Sequence, residues 1–263
     1  MITFQKYVKA ADLEEAYTLN QAAKNRIVGG MLWLRQGSTS YNTIIDISGL
    51  GLDQIEEDDE QFRIGAMVTL RELETHKNLN EYTDSAICHA VRDIVGVQFR
   101  NMATIGGSIW GRFGFSDVLT VFLSLDTYVE LYKGGIISLS EFSKMKYNKD
   151  ILTHIIVKKK PCECVYDAVR IQRTDFPVLT CAASLIDGKI KTVIGARPNK
   201  AILFTDEKGI LSEGITEASI ASYAEELAAK VHTGSNNRGS AAYRSKLVSV
   251  LTERNLKKLG GLD

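Results

Sequence analysis

The chain is poor in the residues that mark several special structural classes. It contains only 3 prolines and 4 cysteines in 263 residues. The scarcity of proline excludes proline-rich linkers. The cysteines are also too few and too dispersed for a disulfide scaffold of this length, so we expect a reducing, cytoplasmic environment. Their positions are Cys88, Cys162, Cys164 and Cys181.

An excess of charge of either sign is also missing. The 32 Lys and Arg residues balance 32 Asp and Glu residues, which removes the electrostatic argument for a nucleic-acid or anionic-membrane partner. No apolar run approaches the ~18–20 residues of a membrane span, and the first residues show no signal-peptide core. The remaining composition, 44% hydrophobic and 24% charged, is that of an ordinary globular protein.

Metal-ligand patterns are absent from the sequence as well. The four histidines form no HExxH motif or other ligand pair. Cys162 and Cys164 would supply only two of the four ligands of an iron–sulfur cluster, and the other cysteines lie far away in sequence. We therefore predict no metal site in this chain, and no residue pattern identifies a catalytic group.

The first 150 residues alternate short β-branched runs with helical segments. Helices are predicted over residues 11–23 and 80–95 from the spacing of apolar residues. Thr69 and Glu72 form a capping box ahead of another helix, and Ser116 begins an apolar one. Short strands are predicted at residues 26–30, 43–47, 62–66 and 128–131.

The pattern changes near residue 150. Strand-like runs then follow one another at residues 151–157, 165–171, 179–186 and 189–194. Asp187-Gly188 separates the last two runs and predicts a hairpin with a type I′ turn. Two helices are predicted over residues 217–231 and 239–258. Strands followed by helices predict an α+β layout for the second half.

Two Gly-Gly pairs are the most informative motif. They occur in residues 27–30 (Ile-Val-Gly-Gly) and 104–107 (Thr-Ile-Gly-Gly). Glycine lets the backbone turn sharply and brings N–H groups close to an anion, so two such turns facing each other would hold a diphosphate. Two ordinary tight turns are the alternative interpretation. The spacing matches neither the Rossmann nor the P-loop motif.

Residues 101–109 (Asn-Met-Ala-Thr-Ile-Gly-Gly-Ser-Ile), with Ser116-Asp117 shortly after, resemble the FAD-binding subunits of the xanthine dehydrogenase, or molybdenum hydroxylase, family. The chain is similar to carbon monoxide dehydrogenase medium subunits as well. The resemblance covers nearly the whole chain, and its segments follow in the family's order. These further segments are residues 27–30, 46–48, 63–66, 125–131, 173–177 and 238–244.

The resemblance implies a fold and a set of partners. It implies an α+β chain with a two-part α/β FAD-binding domain of the vanillyl-alcohol-oxidase (PCMH-like) type over residues 1–150. A smaller C-terminal α+β domain with an antiparallel sheet would occupy residues 151–263. One partner subunit would carry molybdopterin and oxidise the substrate, xanthine or another purine, and another would carry [2Fe–2S] clusters. FAD on this chain would then pass electrons to NAD. Ferredoxin and oxygen are alternative acceptors that the sequence does not distinguish from NAD.

The resemblance also implies which residues bind FAD. Two loops would hold the pyrophosphate through backbone N–H groups, with the Thr104 hydroxyl as an extra donor. The first loop comprises Ile27, Val28, Gly29, Gly30, Met31 and Leu32, and the second comprises Ala103, Thr104, Gly106, Gly107 and Ser108.

Four further residues are implied outside the two loops. Asp117 would accept a hydrogen bond from a ribose hydroxyl, and its alternative is a first-turn acid stabilised by the helix dipole. Ile94 would pack against the isoalloxazine ring, although its helical spacing equally predicts a core residue. Leu152 would lie near the adenine, and Arg170 would approach the flavin.

The first loop departs from the family's pattern. The glycines are commonly followed by Thr-Asp, whereas this chain has Met31-Leu32. Two polar side chains that could bond the flavin phosphates are therefore missing. This difference supports an alternative function, a flavin-poor scaffold subunit of the same kind of complex.

Overall fold

The computed structural model describes residues 1–262 and divides the chain into two compact units that interleave along the sequence. Unit 1 comprises residues 1–72, 97–111 and 127–158, and unit 2 comprises residues 73–96, 112–126 and those from 159 onward. The boundary predicted near residue 150 separates two domains that follow each other along the sequence, which is a different kind of division from these units. It stays a prediction.

The secondary structure consists of short strands and mostly short helices. The strands are β1 (Thr3–Lys9), β2 (Arg26–Val28), β3 (Ser40–Asp46), β4 (Ile55–Glu57), β5 (Gln61–Gly65), β6 (Thr127–Leu131), β7 (Gly135–Ser138), β8 (Leu152–Lys158), β9 (Cys162–Arg170), β10 (Pro177–Ile186), β11 (Lys189–Gly195) and β12 (Ile202–Thr205). The helices are α1 (Leu13–Gln21), α2 (Leu70–Thr75), α3 (Lys77–Tyr82), α4 (Ala86–Val91), α5 (Val97–Arg100), α6 (Ile105–Gly111), α7 (Asp117–Ser124), α8 (Leu139–Lys144), α9 (Glu217–Lys230) and α10 (Ala241–Leu259).

Unit 1 contains two sheets. The first is parallel, with strand order β1-β3-β2, and the second is antiparallel, with order β4-β5-β8-β6-β7. Buried side chains of β3 and the adjacent segments pack under α1, whose Ala16 is fully buried. The parallel sheet leaves the carboxyl end of β2 directly before the first glycine pair.

Unit 2 is built on an antiparallel sheet with strand order β12-β11-β10-β9. Helices α9 and α10 cover one face and share a core with the alternate residues of β10, among them Leu179, Cys181 and Ala183. Helix α7 is joined to β10 by a hydrogen bond between the Thr120 and Thr180 hydroxyls. Strand β9 forms one edge of this sheet.

Several local predictions are confirmed. Asp187 and Gly188 have φ angles of 52° and 74°, the left-handed values that a type I′ turn requires. Glu72 and Thr69 form the reciprocal capping box, since Thr69 N donates to Glu72 Oε2 at 2.7 Å and Glu72 N donates to Thr69 Oγ1 at 3.2 Å. The Ser116 hydroxyl caps α7 by accepting from Leu119 N at 3.0 Å.

The single helix predicted over residues 80–95 is wrong. The structure has α3 and α4, separated by Asp84 and Ser85 with φ angles of 47° and 64°. Because α4 ends at Val91, Ile94 lies beyond the helix, where it is half-buried. Strand β1 was not predicted, because its exposed residues give no hydrophobic periodicity.

Candidate functional site

The first glycine pair lies at the carboxyl end of β2. Ligands of open parallel sheets bind outside the carboxyl ends of the strands. The backbone N–H groups of Gly29, Gly30, Met31 and Leu32 have no hydrogen-bond acceptor among residues 1–262. Met31 has a φ of 59°, a left-handed conformation of the kind that turns successive N–H groups toward one point. This loop therefore offers free donors to an anion.

The second glycine pair has a different conformation from the one predicted. Gly106 and Gly107 lie in the first turn of α6, not in a tight turn between elements. The N–H of Ile105 donates to Val68 O and that of Gly106 to Ala66 O, both at 2.9 Å. These bonds start the helix here, and they leave the two N–H groups committed to protein acceptors.

Thr104 keeps a hydroxyl that can take part in binding. Gly107 N donates to Thr104 Oγ1 at 3.2 Å, so this hydroxyl can still donate its own hydrogen. Gly107 itself is exposed, and the Ser108 hydroxyl donates to Thr104 O at 3.0 Å. Ala103 is buried immediately before this turn. The second segment is thus a capped helix start with one polar hydroxyl.

Three glycines allow the two segments and their neighbours to pack closely. A Cβ atom on Gly30 would lie 1.7 Å from Met102 O, and one on Gly29 would lie 2.6 Å from Thr104 Oγ1. A Cβ on Gly106 would lie 2.5 Å from Ala66 O. Among the described residues, a Cβ on Gly107 would meet only Thr104 Oγ1, at 3.1 Å. The structure therefore places the two predicted loops side by side in unit 1 and leaves Gly107 open.

Asp117 lies in unit 2 as the first residue of α7 and is only 4% exposed. Its Oδ1 accepts from the Tyr166 hydroxyl and from Arg170 Nη2, the latter at 2.5 Å. Burial raises the pKa of Asp117, although Arg170 and Tyr166 both favour the carboxylate. Burial and the neighbouring Asp117 raise the pKa of Tyr166, which keeps the phenol a donor. Asp117 therefore belongs to a buried polar cluster with Tyr166 and Arg170. This cluster was not predicted from the sequence, and it is additional to the ribose contact and the helix-dipole role considered there.

The remaining candidate residues are distributed over both units. Arg170 ends β9, and its Nη1 donates to Asp175 O at 2.6 Å, which fixes the guanidinium. Leu152 is 5% exposed at the start of β8 in unit 1, and Ile94 lies in unit 2. Ile27 and Val28 belong to β2, paired with Ile45 and Asp46. The cofactor contacts of these residues stay predictions.

Sequence reasoning missed Tyr166. No motif or spacing relates it to Asp117, which lies 49 positions earlier. The two meet only because α7 packs on the sheet to which β9 belongs. A tyrosine in a strand is ordinarily interpreted as a packing residue, so the sequence contained no usable signal.

The cysteines and acidic residues form no metal centre within residues 1–262, where no group of three or more potential ligands converges. Burial raises the pKa of Cys162 to about 11 and that of Cys164 and Cys181 to about 12, so all three are thiols at neutral pH. In the same part of the chain, no helix has the length and apolar character needed to cross a membrane.

The sequence matches one protein family over residues 2–159, the FAD-binding domain in molybdopterin dehydrogenase. Over 279 aligned residues it is 26% identical to the glyceraldehyde dehydrogenase medium chain of Sulfolobus acidocaldarius, covering 96% of this chain and 97% of that one. It is 32% identical over 142 residues to the xanthine dehydrogenase FAD-binding subunit of Escherichia coli O157:H7, covering 50% of this chain and 47% of that subunit.

A solved structure has the same fold. The reconstituted CO dehydrogenase from Oligotropha carboxidovorans superposes with a TM-score of 0.86 at 18% identity, covering 100% of this chain and 99% of the other. The α+β fold class predicted from the sequence, with its PCMH-like FAD-binding domain, is confirmed.

Proposed function

The chain belongs to the family of FAD-binding domains of molybdopterin dehydrogenases, and we propose that it is the FAD-binding subunit of a multi-subunit molybdenum-dependent dehydrogenase. The observation that carries this proposal is the first glycine loop. Its N–H groups, at the carboxyl end of a parallel strand, have no acceptor within residues 1–262, and the Thr104 segment packs against this loop. An anionic group of the size of a pyrophosphate fits such a donor arrangement.

This chain's own residues would bind and orient the cofactor. The N–H groups of Gly29 to Leu32 would hold the pyrophosphate, and the Thr104 hydroxyl would add a donor. Asp117 would accept from a ribose hydroxyl, with Tyr166 and Arg170 holding its carboxylate in place. FAD, when bound, supplies the ability to take up electrons singly and release them in pairs. Met31 and Leu32 add no polar side chain, so pyrophosphate affinity would depend largely on backbone donors.

The electron path would run from a molybdopterin subunit through a [2Fe–2S] subunit to this chain and then to NAD. One relative is named for glyceraldehyde and another for xanthine. These names support a complex in which one subunit binds FAD and another oxidises the substrate. Different substrates in the names of related FAD-binding chains support the proposal that the molybdopterin partner selects the substrate. Xanthine or another purine is the substrate we propose. None of the four cysteines, all of which lie within residues 1–262, forms a disulfide, which supports a cytoplasmic location.

A reconstitution assay tests the electron relay. The purified chain with FAD should oxidise NADH with an artificial acceptor and should not hydroxylate xanthine. Hydroxylation coupled to NAD reduction should appear only when the iron–sulfur and molybdenum subunits are added. Purine oxidation by the isolated chain, after metal analysis has excluded contaminating molybdenum, would contradict the relay.

A flavin-poor scaffold subunit is the second candidate. It is favoured by the committed N–H groups of Ile105 and Gly106 and by the apolar side chains of Met31 and Leu32. A scaffold would purify colourless, would fail to bind added FAD, and would still assemble with its partner subunits.

A further inference from the structure

A polar cavity of about 390 Å³ lies in unit 2 along the outer edge of β9. It is lined on one side by residues at the end of α4 and on another by Lys258 of α10. Four cationic side chains face it, namely Arg92, Arg170, Arg173 and Lys258. None of its lining residues belongs to the two glycine loops.

The carboxylates at the cavity do not neutralise these cations completely. Asp93 pairs with Arg173, Oδ1 to Nε at 2.8 Å, and its Oδ2 lies 3.9 Å from Arg92 Nε. Asp167 Oδ2 lies 4.0 Å from Lys258 Nζ. Because the buried Asp117 compensates Arg170, one positive charge remains in excess. That local excess occurs in a chain whose formal net charge is zero.

The edge of β9 adds a backbone donor. Cys164 N points outward from the sheet, where it donates to Asp84 Oδ2 at 3.1 Å. Alternate residues of an antiparallel edge strand point their N–H groups the same way, so the N–H of Tyr166 also points outward, beside the cavity that Tyr166 lines. It has no acceptor among residues 1–262. Unpaired edge donors of this kind bind acceptors readily.

His89 also lines the cavity, and its pKa responds to the positive charges there. Burial lowers the pKa of His89, and the nearby charges of Arg92 and Lys258 lower it further. The imidazole is therefore neutral at pH 7 and can donate a hydrogen bond without adding charge.

We propose that this cavity binds a phosphate group, either free or carried by a nucleotide. Guanidinium groups present paired donors that match phosphate oxygens, and an ammonium adds a point charge. Arg173 is well placed for this role, since its side chain is 78% exposed and can turn from Asp93 to a ligand without disturbing the core. The free N–H of Tyr166 would complete the donor set.

Calorimetric titration of the full-length chain saturated with FAD tests the site, with inorganic phosphate, pyrophosphate and ADP as probes at constant ionic strength. Bound FAD keeps these probes out of the glycine segments. We expect saturable binding of one equivalent, weakened about tenfold in Arg173→Gln and in Lys258→Gln. Lys257→Gln is the matched control, because Lys257 is adjacent in α10 and instead lies 3.8 Å from Glu217. That variant should bind like the original chain.

Comparison of the probes distinguishes the two sources of phosphate. ADP binding more tightly than pyrophosphate identifies a nucleotide, and equal affinities identify the phosphate group alone. The proposal is overturned if no probe gives saturable heat, or if all three variants bind equally. Gly107→Val separates this site from the flavin loops, since that variant should lose FAD and keep phosphate binding.

Discussion

At the scale of single residues, glycines with similar sequence contexts serve different purposes. Gly30 and Gly106 are required because backbone atoms of neighbouring segments occupy the space of a side chain, whereas a Cβ on Gly29 would displace the Thr104 hydroxyl. Gly107 is exposed, and a side chain there would extend into open space beside the loop. The glycine therefore leaves that space free for a ligand. Only the structure distinguishes these cases, because a Gly-Gly pair in a sequence does not show what lies beside it.

The Gly30→Ala variant should be clearly less stable than the original chain. Its Cβ would overlap Met102 O, so the backbone of one segment must move, and we expect a loss of about 3 kcal/mol in the free energy of unfolding, the upper end for overpacking. Urea denaturation measures this. Gly107→Ala is the control, expected to remain within about 1 kcal/mol, and equal losses in both variants would refute the packing argument.

The Asp117→Asn variant should be destabilised by about 3–5 kcal/mol, because Arg170 would be left without its buried counter-charge. Tyr166→Phe removes one hydrogen bond to the same carboxylate and should lose only about 1–3 kcal/mol. Both values come from chemical denaturation. If Asp117 acted only through the helix dipole, its replacement would lose about 0.3–1 kcal/mol, and that small value would contradict the ion-pair account.

His89 should make stability depend on pH. The pKa of His89 is lowered from its usual value of 6.5 in the folded chain. Below pH 6.5 the unfolded chain therefore binds the His89 proton more tightly than the folded chain does. The unfolding free energy should therefore be highest above about pH 6.5 and should fall as the pH decreases toward the folded pKa. Melting curves from pH 5 to pH 8 should show a smaller slope in His89→Gln. A residual slope is expected from His154, whose pKa burial and Arg63 also lower.

At the scale of secondary-structure elements, the Asp187-Gly188 turn sets the pairing register of β10 and β11. Gly188 has a φ of 74°, and a Cβ there would meet no atom of residues 1–262 within 4 Å, so only backbone strain opposes substitution. Gly188→Ala should therefore decrease the unfolding free energy by about 1–2 kcal/mol. Asp187→Asn keeps a residue that tolerates this conformation and should be nearly neutral. Equal effects of the two changes in thermal melts would argue against a type I′ turn.

Elements whose causes are local could be predicted from the sequence, and elements set by distant contacts could not. The hairpin at Asp187 and the cap at Ser116 follow from residues within a few positions. The break at Asp84 and Ser85 has a tertiary partner, since the Asp84 carboxylate accepts from Cys164 N on β9. The helical start at Gly106 likewise depends on carbonyls of the segment around Ala66.

The same distinction applies to the candidate site. The family resemblance identified both glycine segments, and the structure shows them side by side in unit 1. It did not reveal that Asp117 is held by Tyr166 and Arg170, because these residues are 49 and 53 positions away. Contacts at such separations follow from the fold and leave no short-range signal.

At the scale of the whole molecule, the two units interleave, so neither is a continuous stretch of chain. Segments 97–111 and 127–158 return to unit 1 after the chain has entered unit 2. Cutting the chain near residue 150 would therefore divide unit 1. We expect a fragment of residues 1–150 to lack the cooperative unfolding of the full chain, because it loses β8, the central strand of the five-stranded sheet. A sharp, reversible thermal transition of that fragment would contradict this expectation.

The central claim is that this chain binds FAD through the two glycine segments. Titration of the flavin-free chain with FAD, followed by the absorption and fluorescence of the flavin, tests it most directly. We predict saturation at one FAD per chain, loss of binding in Gly107→Val, and unchanged circular dichroism in that variant, because a valine would fill space the pyrophosphate needs without meeting the core. A chain that binds no FAD, or a folded Gly107→Val variant that binds it normally, would contradict the account.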